Sequence, residues 1–184
     1  MIKTDVTLPW PERRYNKFLF DKVLHLFSQR GGRVIVEIGT IRDPQPKAQM
    51  TDGWATLKWA STGLEVHTVD LDPRAIGIAR TLTDRSNVKY HLADGVKFLT
   101  DFQKPIDLLY LDGPDADQNG QSLALEMFMA AGPILSKEAL VLIDDCDKCH
   151  RWEGRGKGEL VIPHAIECGF QILEDNGRQV LLSE

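Results

Sequence analysis

The hydrophobic positions of the chain follow two different periods. Short, nearly continuous apolar runs rich in β-branched residues are typical of buried strands, and an apolar residue every three or four positions is typical of amphipathic helices. The runs predict strands at 34–38, 65–70, 88–92, 106–111, 139–143, 170–174 and 179–182. The helical periodicity predicts helices over about 12–29, 53–60, 122–131 and 159–168, one that begins at Asp72-Pro73 and one that ends near Asp101.

Strands that alternate with helices predict a doubly wound α/β sheet with helices on both faces. Asn176-Gly177 stands between the last two strands, and this dipeptide is a strong signal for a two-stranded hairpin. The expected fold is therefore one α/β domain over residues 1–184. Its sheet has seven strands and is mostly parallel, and the C-terminal hairpin adds one antiparallel strand at the edge.

Composition and charge narrow the classes of function. A chain of 184 residues, 42% of them hydrophobic, can bury the core of one such domain. The net charge is −5 without a basic stripe, which argues against nucleic acid, and no apolar run approaches the roughly 20 residues of a membrane span. The first residues lack the apolar core of a signal peptide, so we expect a cytoplasmic protein whose three cysteines are free thiols.

The first predicted strand carries Glu37 near its end and stops at Gly39, where the backbone can turn without a side chain in the way. In open parallel sheets, ligands bind outside the carboxyl ends of the strands where the strand order reverses. The turn reads Gly39-Thr40-Ile41-Arg42-Asp43-Pro44 and lacks the further glycines of a pyrophosphate-binding turn. This sequence disfavours a dinucleotide and favours a nucleoside ligand without phosphates.

Most of the later parallel strands are followed at once by acids. A single aspartate in such a place is usually a helix cap, but a row of them on neighbouring strands needs a cation or a hydrogen-bond donor to offset the repulsion. A ribose diol, a sulfonium, an amino group or a divalent metal would each serve. The acids are Asp70, Asp94, Asp112, Asp144 and Asp145.

Six short motifs follow one another along the chain in the order found in a known protein family. The motifs are Glu37-Ile38-Gly39, Gly53-Trp54-Ala55-Thr56-Leu57, Val69-Asp70-Leu71-Asp72-Pro73, Ala93-Asp94-Gly95, Ile106 to Gly113, and Val141-Leu142-Ile143-Asp144-Asp145. Over residues 33–145 the chain resembles the class I S-adenosylmethionine-dependent methyltransferases, which have a Rossmann-like fold. More narrowly, it resembles the metal-dependent small-molecule O-methyltransferases of the catechol, caffeoyl-CoA and macrolide-sugar type.

The resemblance implies transfer of a methyl group from S-adenosylmethionine to a hydroxyl of a small molecule. It divides the chain into an N-terminal segment and helix (1–32), a cofactor-binding core (33–145), and an acceptor-side loop with the closing hairpin (146–184). It also allows a homodimer, although no stretch of the sequence indicates one. The residues implied in cofactor binding are Glu37, Gly39, Thr40, Gly53, Trp54, Ala55, Asp70, Leu71, Ala93, Asp94 and Asp112.

In the metal-dependent members, the acids that match Asp112, Asp144 and Asp145 bind a divalent cation. Oxygen ligands suit Mg²⁺, which would lower the pKa of the acceptor hydroxyl and hold it against the sulfonium. The catalytic residues expected from the resemblance and the nearby sequence are Asp112 and, as a candidate base, His164.

The sequence departs from this subgroup in two places. The catechol-type enzymes carry a lysine base shortly after the fourth-strand acid, and the segment 113–118 contains no lysine. Ala55 stands where a serine is expected to contact the cofactor carboxylate, and Thr56 and Thr40 are the candidates to replace it.

Two other functions compete with methyl transfer. One is a nucleotide-dependent oxidoreductase on the same layout, against which the glycine spacing argues. The other is a non-enzymatic module that binds zinc or another ligand, with Cys146, Cys149 and His150 joined by His164 or Cys168. The glycine-containing segment 152–157 is interpreted either as an acceptor-binding loop or as a solvated loop.

Overall fold

The computed structural model describes residues 18–45, 54–113, 119–146 and 156–184. Its strands are β1 (Val34–Ile38), β2 (Glu65–Asp70), β3 (Val88–Leu92), β4 (Ile106–Leu111), β5 (Leu135–Ile143), β6 (Gln171–Asp175) and β7 (Val180–Ser183). Its helices are α1 (Phe20–Gln29), α2 (Ala55–Ala60), α3 (Pro73–Thr83), α4 (Gly95–Asp101), α5 (Gly120–Ala131) and α6 (Gly158–Glu167), with a short 3₁₀ turn at Gly132–Ile134.

The seven strands form one sheet in the order β3-β2-β1-β4-β5-β7-β6. The first five strands of the chain pair in parallel, and β7 pairs antiparallel with both β5 and β6. The predicted fold class is confirmed. The position of the antiparallel strand was wrong, because β7 lies between β5 and β6 and the outermost strand is β6.

The sheet has an apolar core on each face, which explains why its central strands are continuous apolar runs. Successive side chains of a strand point to opposite faces. Val36 and Ile38 of β1 therefore join the core beneath α4, α5 and α6, whereas Ile35 joins the core beneath α1 and α2. Covering both faces leaves the two ends of the strands as the places where polar groups can gather.

Several boundaries differ from the prediction. Helix α1 begins at Phe20, after residues 18–19 that are not helical, and residues 12–17 lie outside the described part of the chain. Strand β5 begins at Leu135 rather than at residue 139, because a register shift between Ile106 and Leu108 lets its first residues pair as well. Among the described residues, we find no helix with the length and apolar character that a bilayer crossing requires.

Candidate functional site

The carboxyl ends of β1 and β4 meet through two glycines, at the point where the strand order reverses. Gly39 has a φ of +92°, and a Cβ atom there would lie 2.7 Å from the backbone nitrogen of Gly113. A Cβ on Gly113 would in turn lie 3.0 Å from a methyl group of Ile38. Only residues without side chains allow this close approach, so the floor of the crevice is bare backbone.

The carboxylate of Asp70 is fixed at the end of β2, beside this floor. Its two oxygens accept hydrogen bonds from the backbone nitrogens of Thr40 at 3.1 Å and Asp72 at 2.8 Å. Each carboxylate oxygen has further acceptor capacity, and the side chain is only partly buried. Asp70 is therefore oriented by the protein and still able to accept hydrogen bonds from a ligand.

Glu37 lies beneath the crevice and not on its exposed edge. It is 1% exposed, and one of its oxygens accepts hydrogen bonds from Thr56 at 2.7 Å and Thr68 at 2.6 Å. Burial raises the pKa of Glu37 to about 8, although the threonine hydroxyls oppose that rise. Thr56 is itself buried and engaged, so of the two threonines proposed to replace the missing serine, only Thr40 remains near the surface.

The other predicted cofactor residues have varied surroundings. Trp54 adopts a left-handed conformation (φ 46°), and its indole nitrogen donates to the backbone oxygen of Asp43 at 3.1 Å. Asp94 caps α4 by accepting from the backbone nitrogen of Lys97 at 2.9 Å. Ala55 is buried and Leu71 is 68% exposed. The backbone nitrogen of Ala93 donates to the backbone oxygen of Asp70. Gly53 lies outside the described residues.

A buried lysine holds the acid that follows β4. The ammonium of Lys157 donates to the carboxylate of Asp112 at 2.7 Å and to the backbone oxygen of the same residue at 2.9 Å. It also lies 3.1 Å from a carboxylate oxygen of Asp145. Burial alone would lower the pKa of Lys157, but the surrounding carboxylates of Asp112, Asp145 and Asp144 outweigh it and hold that pKa above its usual range.

A buried arginine from the β6–β7 turn holds the acid that follows β5. The Arg178 guanidinium donates to Asp144 at 2.9 Å, and the Tyr110 hydroxyl donates to the other oxygen of Asp144 at 2.6 Å. The ring of Phe18 covers the guanidinium, at 4.5 Å from its central carbon. Asp144 is fully buried, so this acid is an internal ion-pair partner.

The predicted metal centre finds no support in these contacts. Lys157 and Arg178 already form ion pairs with these acids, which are Asp112, Asp144 and Asp145. A magnesium ion would have to bind beside both of these positive side chains. Within the described ranges, no group of three or more His, Cys, Asp or Glu side chains is arranged to hold a metal ion. The donor set therefore does not fit a divalent cation as long as Lys157 and Arg178 remain in place.

His164 and Cys168 are not brought together with these acids. His164 packs edge-on against Phe128, and its ring nitrogen lies 3.7 Å from the sulfur of Cys168. It lies seven residues after Lys157, about 10 Å along α6, because a helix rises about 1.5 Å per residue. Cys146 is near the start of that helix, and burial raises the pKa of its thiol.

These positions separate the residues proposed for a zinc site. Cys146 lies against Gly158, at the opposite end of α6 from Cys168. Cys149 and His150 lie outside the part of the chain that the structure describes. The described residues thus give no support to a zinc module.

Sequence reasoning missed the roles of Lys157 and Arg178. Lys157 was interpreted as part of either an acceptor-binding loop or a solvated loop, but it is fully buried. Arg178 was given no functional role. In the structure Val180 pairs with Ile143, and this pairing places the β6–β7 turn beside Asp144, a contact that hydrophobic periodicity does not predict.

Comparison with solved structures shows the same fold in methyltransferases. The N-methyltransferase NodS from Bradyrhizobium japonicum WM9, in complex with S-adenosyl-L-homocysteine, has a TM-score of 0.60 and 18% identity, covering 95% of this chain and 89% of that one. An O-methyltransferase from Bacillus cereus in complex with SAH has a TM-score of 0.57 and 15% identity, covering 98% and 94%. The O-methyltransferase TomG from Streptomyces achromogenes, in complex with SAM, has a TM-score of 0.55 and 15% identity, covering 97% and 80%.

No curated protein matches the chain at a significant level. A family model described as a methyltransferase domain matches residues 53–146, just over half of the chain. That range contains Asp70, Asp94, Asp112 and the Asp144–Asp145 pair, the acids on which the resemblance was based. The chain belongs to this family of methyltransferase domains.

Proposed function

We propose that the protein transfers a methyl group from S-adenosylmethionine to a hydroxyl group of a small molecule. The observation that carries the proposal is the carboxylate of Asp70, which two backbone N–H groups orient beside the Gly39–Gly113 floor. A nucleoside presents a vicinal diol, and a fixed carboxylate at the end of the second strand can accept both of its hydroxyls.

The residues at the crevice fit this cofactor. Gly39 and Gly113 let the ends of β1 and β4 approach closely, and neither residue adds a side chain over the strand ends. Leu71, 68% exposed next to Asp70, offers an apolar surface for a base. When bound, S-adenosylmethionine supplies a methyl group on a sulfonium, and Asp112 is the partly exposed acid that we assign to the reacting end of the crevice.

The hydroxyl acceptor has weaker support than the cofactor. Two proteins of similar fold are named O-methyltransferases, and a third is named an N-methyltransferase. The metal requirement predicted from the sequence is not part of the proposal, because Lys157 and Arg178 already bind the acids that would be its ligands. The acceptor is therefore proposed to be bound and oriented by groups of the protein alone.

Cofactor binding is tested by calorimetry with S-adenosylhomocysteine. We expect the wild-type protein to bind it and Asp70→Ala to lose at least about tenfold in affinity, because a charged acceptor of two hydrogen bonds is removed. Asp107→Ala is the matched control, since Asp107 also accepts two backbone N–H groups, from Arg33 and Val34, but at the opposite end of the strands. Equal affinity of wild type and Asp70→Ala would contradict the proposed site.

The acceptor is tested with methyl-labelled S-adenosylmethionine and a panel of small phenols, sugars and amines. Label in an ether product supports the hydroxyl acceptor. Label on nitrogen would contradict that part and leave methyl transfer standing. Binding of nicotinamide dinucleotides in place of S-adenosylhomocysteine would favour the oxidoreductase alternative.

A further inference from the structure

The ammonium of Lys157 lies inside a shell of oxygens that resembles the coordination sphere of a cation. Three oxygens lie 2.7–3.1 Å from it: the carboxylate and backbone oxygens of Asp112 and a carboxylate oxygen of Asp145. The side chain is fully buried. A lysine is almost never buried in this way without compensating charges, so its place in the structure depends on these acids.

Two glycines allow the backbone around the lysine to pack closely against the chain that follows β5. A Cβ on Gly156 would lie 2.5 Å from the backbone oxygen of Asp145, and a Cβ on Gly158 would lie 2.8 Å from the sulfur of Cys146. The backbone nitrogen of Lys157 also donates to the oxygen of Asp145 at 3.0 Å. The segment Gly156-Lys157-Gly158 therefore packs directly against the chain that follows β5. The side chain of Lys157 reaches from there to Asp112, at the end of β4.

Asp112 is held on two sides as a result. On one side, Lys157 binds both the carboxylate and the backbone oxygen of Asp112. On the other side, the backbone carbonyl carbon of Asp112 packs against Gly39, where a Cβ would lie only 2.8 Å from it. The ammonium thus fixes the residue that links the crevice floor to the acids. A divalent metal bound by oxygens at 2.0–2.6 Å would perform the same task.

We propose that Lys157 is the resident cation of this site: it takes the place of a divalent metal and positions Asp112 for methyl transfer. The binding half of this inference depends only on the oxygen shell around Lys157, and the catalytic half rests on the proposed function. Arg178 supplies the second fixed charge, on Asp144, so the acids are neutralised largely by the chain itself.

The oxygen shell is tested by titrating Ca²⁺ into the purified full-length protein by calorimetry, after treatment with a chelator and its removal. We expect no stoichiometric binding by the wild type. Lys157→Ala should gain a site, with affinity at least about tenfold above that of wild type, because the carboxylate and backbone oxygens of Asp112 and one carboxylate oxygen of Asp145 lose the ammonium that they share. Arg178 stays 3.6 Å from the other carboxylate oxygen of Asp145. Lys104→Ala is the matched control, since Lys104 also binds a carboxylate, that of Glu65, at the other end of the strands.

A merely structural lysine would not produce this gain. Stoichiometric Ca²⁺ binding by the wild type, or a folded Lys157→Ala protein without any gain, would overturn the proposal. If Lys157→Ala does not fold, Lys157→Met keeps the volume without the charge, and Lys157→Met that binds S-adenosylhomocysteine and turns over like wild type would equally overturn it.

Activity supplies the second measurement. Chelation should leave wild-type methyl transfer unchanged, whereas added Ca²⁺ or Mg²⁺ should raise the rate of Lys157→Ala and not that of wild type. Loss of wild-type activity on chelation would overturn the proposal. The two hypotheses fail separately: a wild type that binds no S-adenosylhomocysteine contradicts the proposed function, whereas the Ca²⁺ titration requires no cofactor.

Discussion

The two ends of the sheet carry charged clusters that differ in burial. The carboxyl-end cluster (Asp112, Asp144, Asp145, Lys157 and Arg178) has its lysine and its central acid fully buried, and the arginine is 9% exposed. The amino-end cluster (Glu65, Lys89 and Lys104) has lysines about half exposed around an acid that is 28% exposed. Similar ion pairs therefore stand in very different surroundings.

This difference in burial predicts that the two clusters contribute differently to the stability of the fold. Water screens an exposed pair, so such a pair contributes about 1 kcal/mol or less to stability. A buried pair costs much to desolvate, and removal of one partner leaves the other charge without compensation. The carboxyl-end cluster is therefore expected to be sensitive to single substitutions, which suits a place where the geometry of an acid must be held.

The largest effect is expected from Asp144→Ala. Loss of this acid takes from the buried Arg178 guanidinium its 2.9 Å carboxylate contact and from the Tyr110 hydroxyl its 2.6 Å acceptor, and the acids that stay near them, Asp145 and Asp112, are more distant at 3.6 and 3.4 Å. We expect the free energy of unfolding to fall by about 3–5 kcal/mol. Urea denaturation of both proteins measures the change. A loss below about 1 kcal/mol would contradict the expected difference, because an exposed ion pair contributes that much.

A smaller effect is expected from pH at the buried histidine behind the amino-end cluster. Burial lowers the pKa of His67 and of His91, which lies 3.0 Å from it, although Glu65 opposes the shift at His67. Below pH 6.5 these two histidines bind more protons in the unfolded chain than in the folded one, so their contribution to stability falls as the pH is lowered from that value.

Urea midpoints at pH 7 and pH 5.5 measure this dependence in the wild type and in His67→Asn. Burial raises the pKa of Glu37 to about 8 and that of Asp112 to about 7, so both acids act in the opposite direction over this range, because their neutral forms are favoured in the folded protein. The difference between the two proteins removes that common contribution. We expect the change in stability on acidification to be less favourable in the wild type than in the variant; an equal change in both proteins would contradict the assignment.

The smallest effect is expected from Glu65→Gln. The lysines at 104 and 89 lower the pKa of Glu65 to about 2, yet the group is largely solvated and its ion pairs are screened. We expect the free energy of unfolding to fall by at most about 1 kcal/mol at low salt and by less at high salt. Urea denaturation at two salt concentrations measures this, and a loss as large as that of Asp144→Ala would remove the distinction between the clusters.

Local features of the sequence predicted the sheet and the crevice. The apolar runs located every strand, and the strand-end positions of Gly39 and Asp70 placed both at the reversal of strand order. Antiparallel pairing was predicted from Asn176-Gly177, but the insertion of β7 between β5 and β6 depends on which strand packs against β5, and periodicity carries no such information.

Long-range contacts account for what the sequence did not predict. Lys157 binds Asp112, 45 residues earlier in the chain, and the glycines on either side of it pack closely against the chain that follows β5. The same acids were expected to be metal ligands because they match, through the resemblance, the acids that bind a cation in the metal-dependent O-methyltransferases. The cations that lie beside them in the structure come from elsewhere in the chain. His164 lies in the last turn of helix α6 and packs against Phe128, whereas the acids lie near the start of that helix.

The most direct measurement is a crystal structure of the wild-type protein grown with S-adenosylhomocysteine and excess Mg²⁺. We predict ribose hydroxyls on the Asp70 carboxylate, with the ammonium of Lys157 still between Asp112 and Asp145. A magnesium ion bound by Asp112 and Asp145, with Lys157 displaced into solvent, would contradict the claim that the chain supplies its own cation at this site.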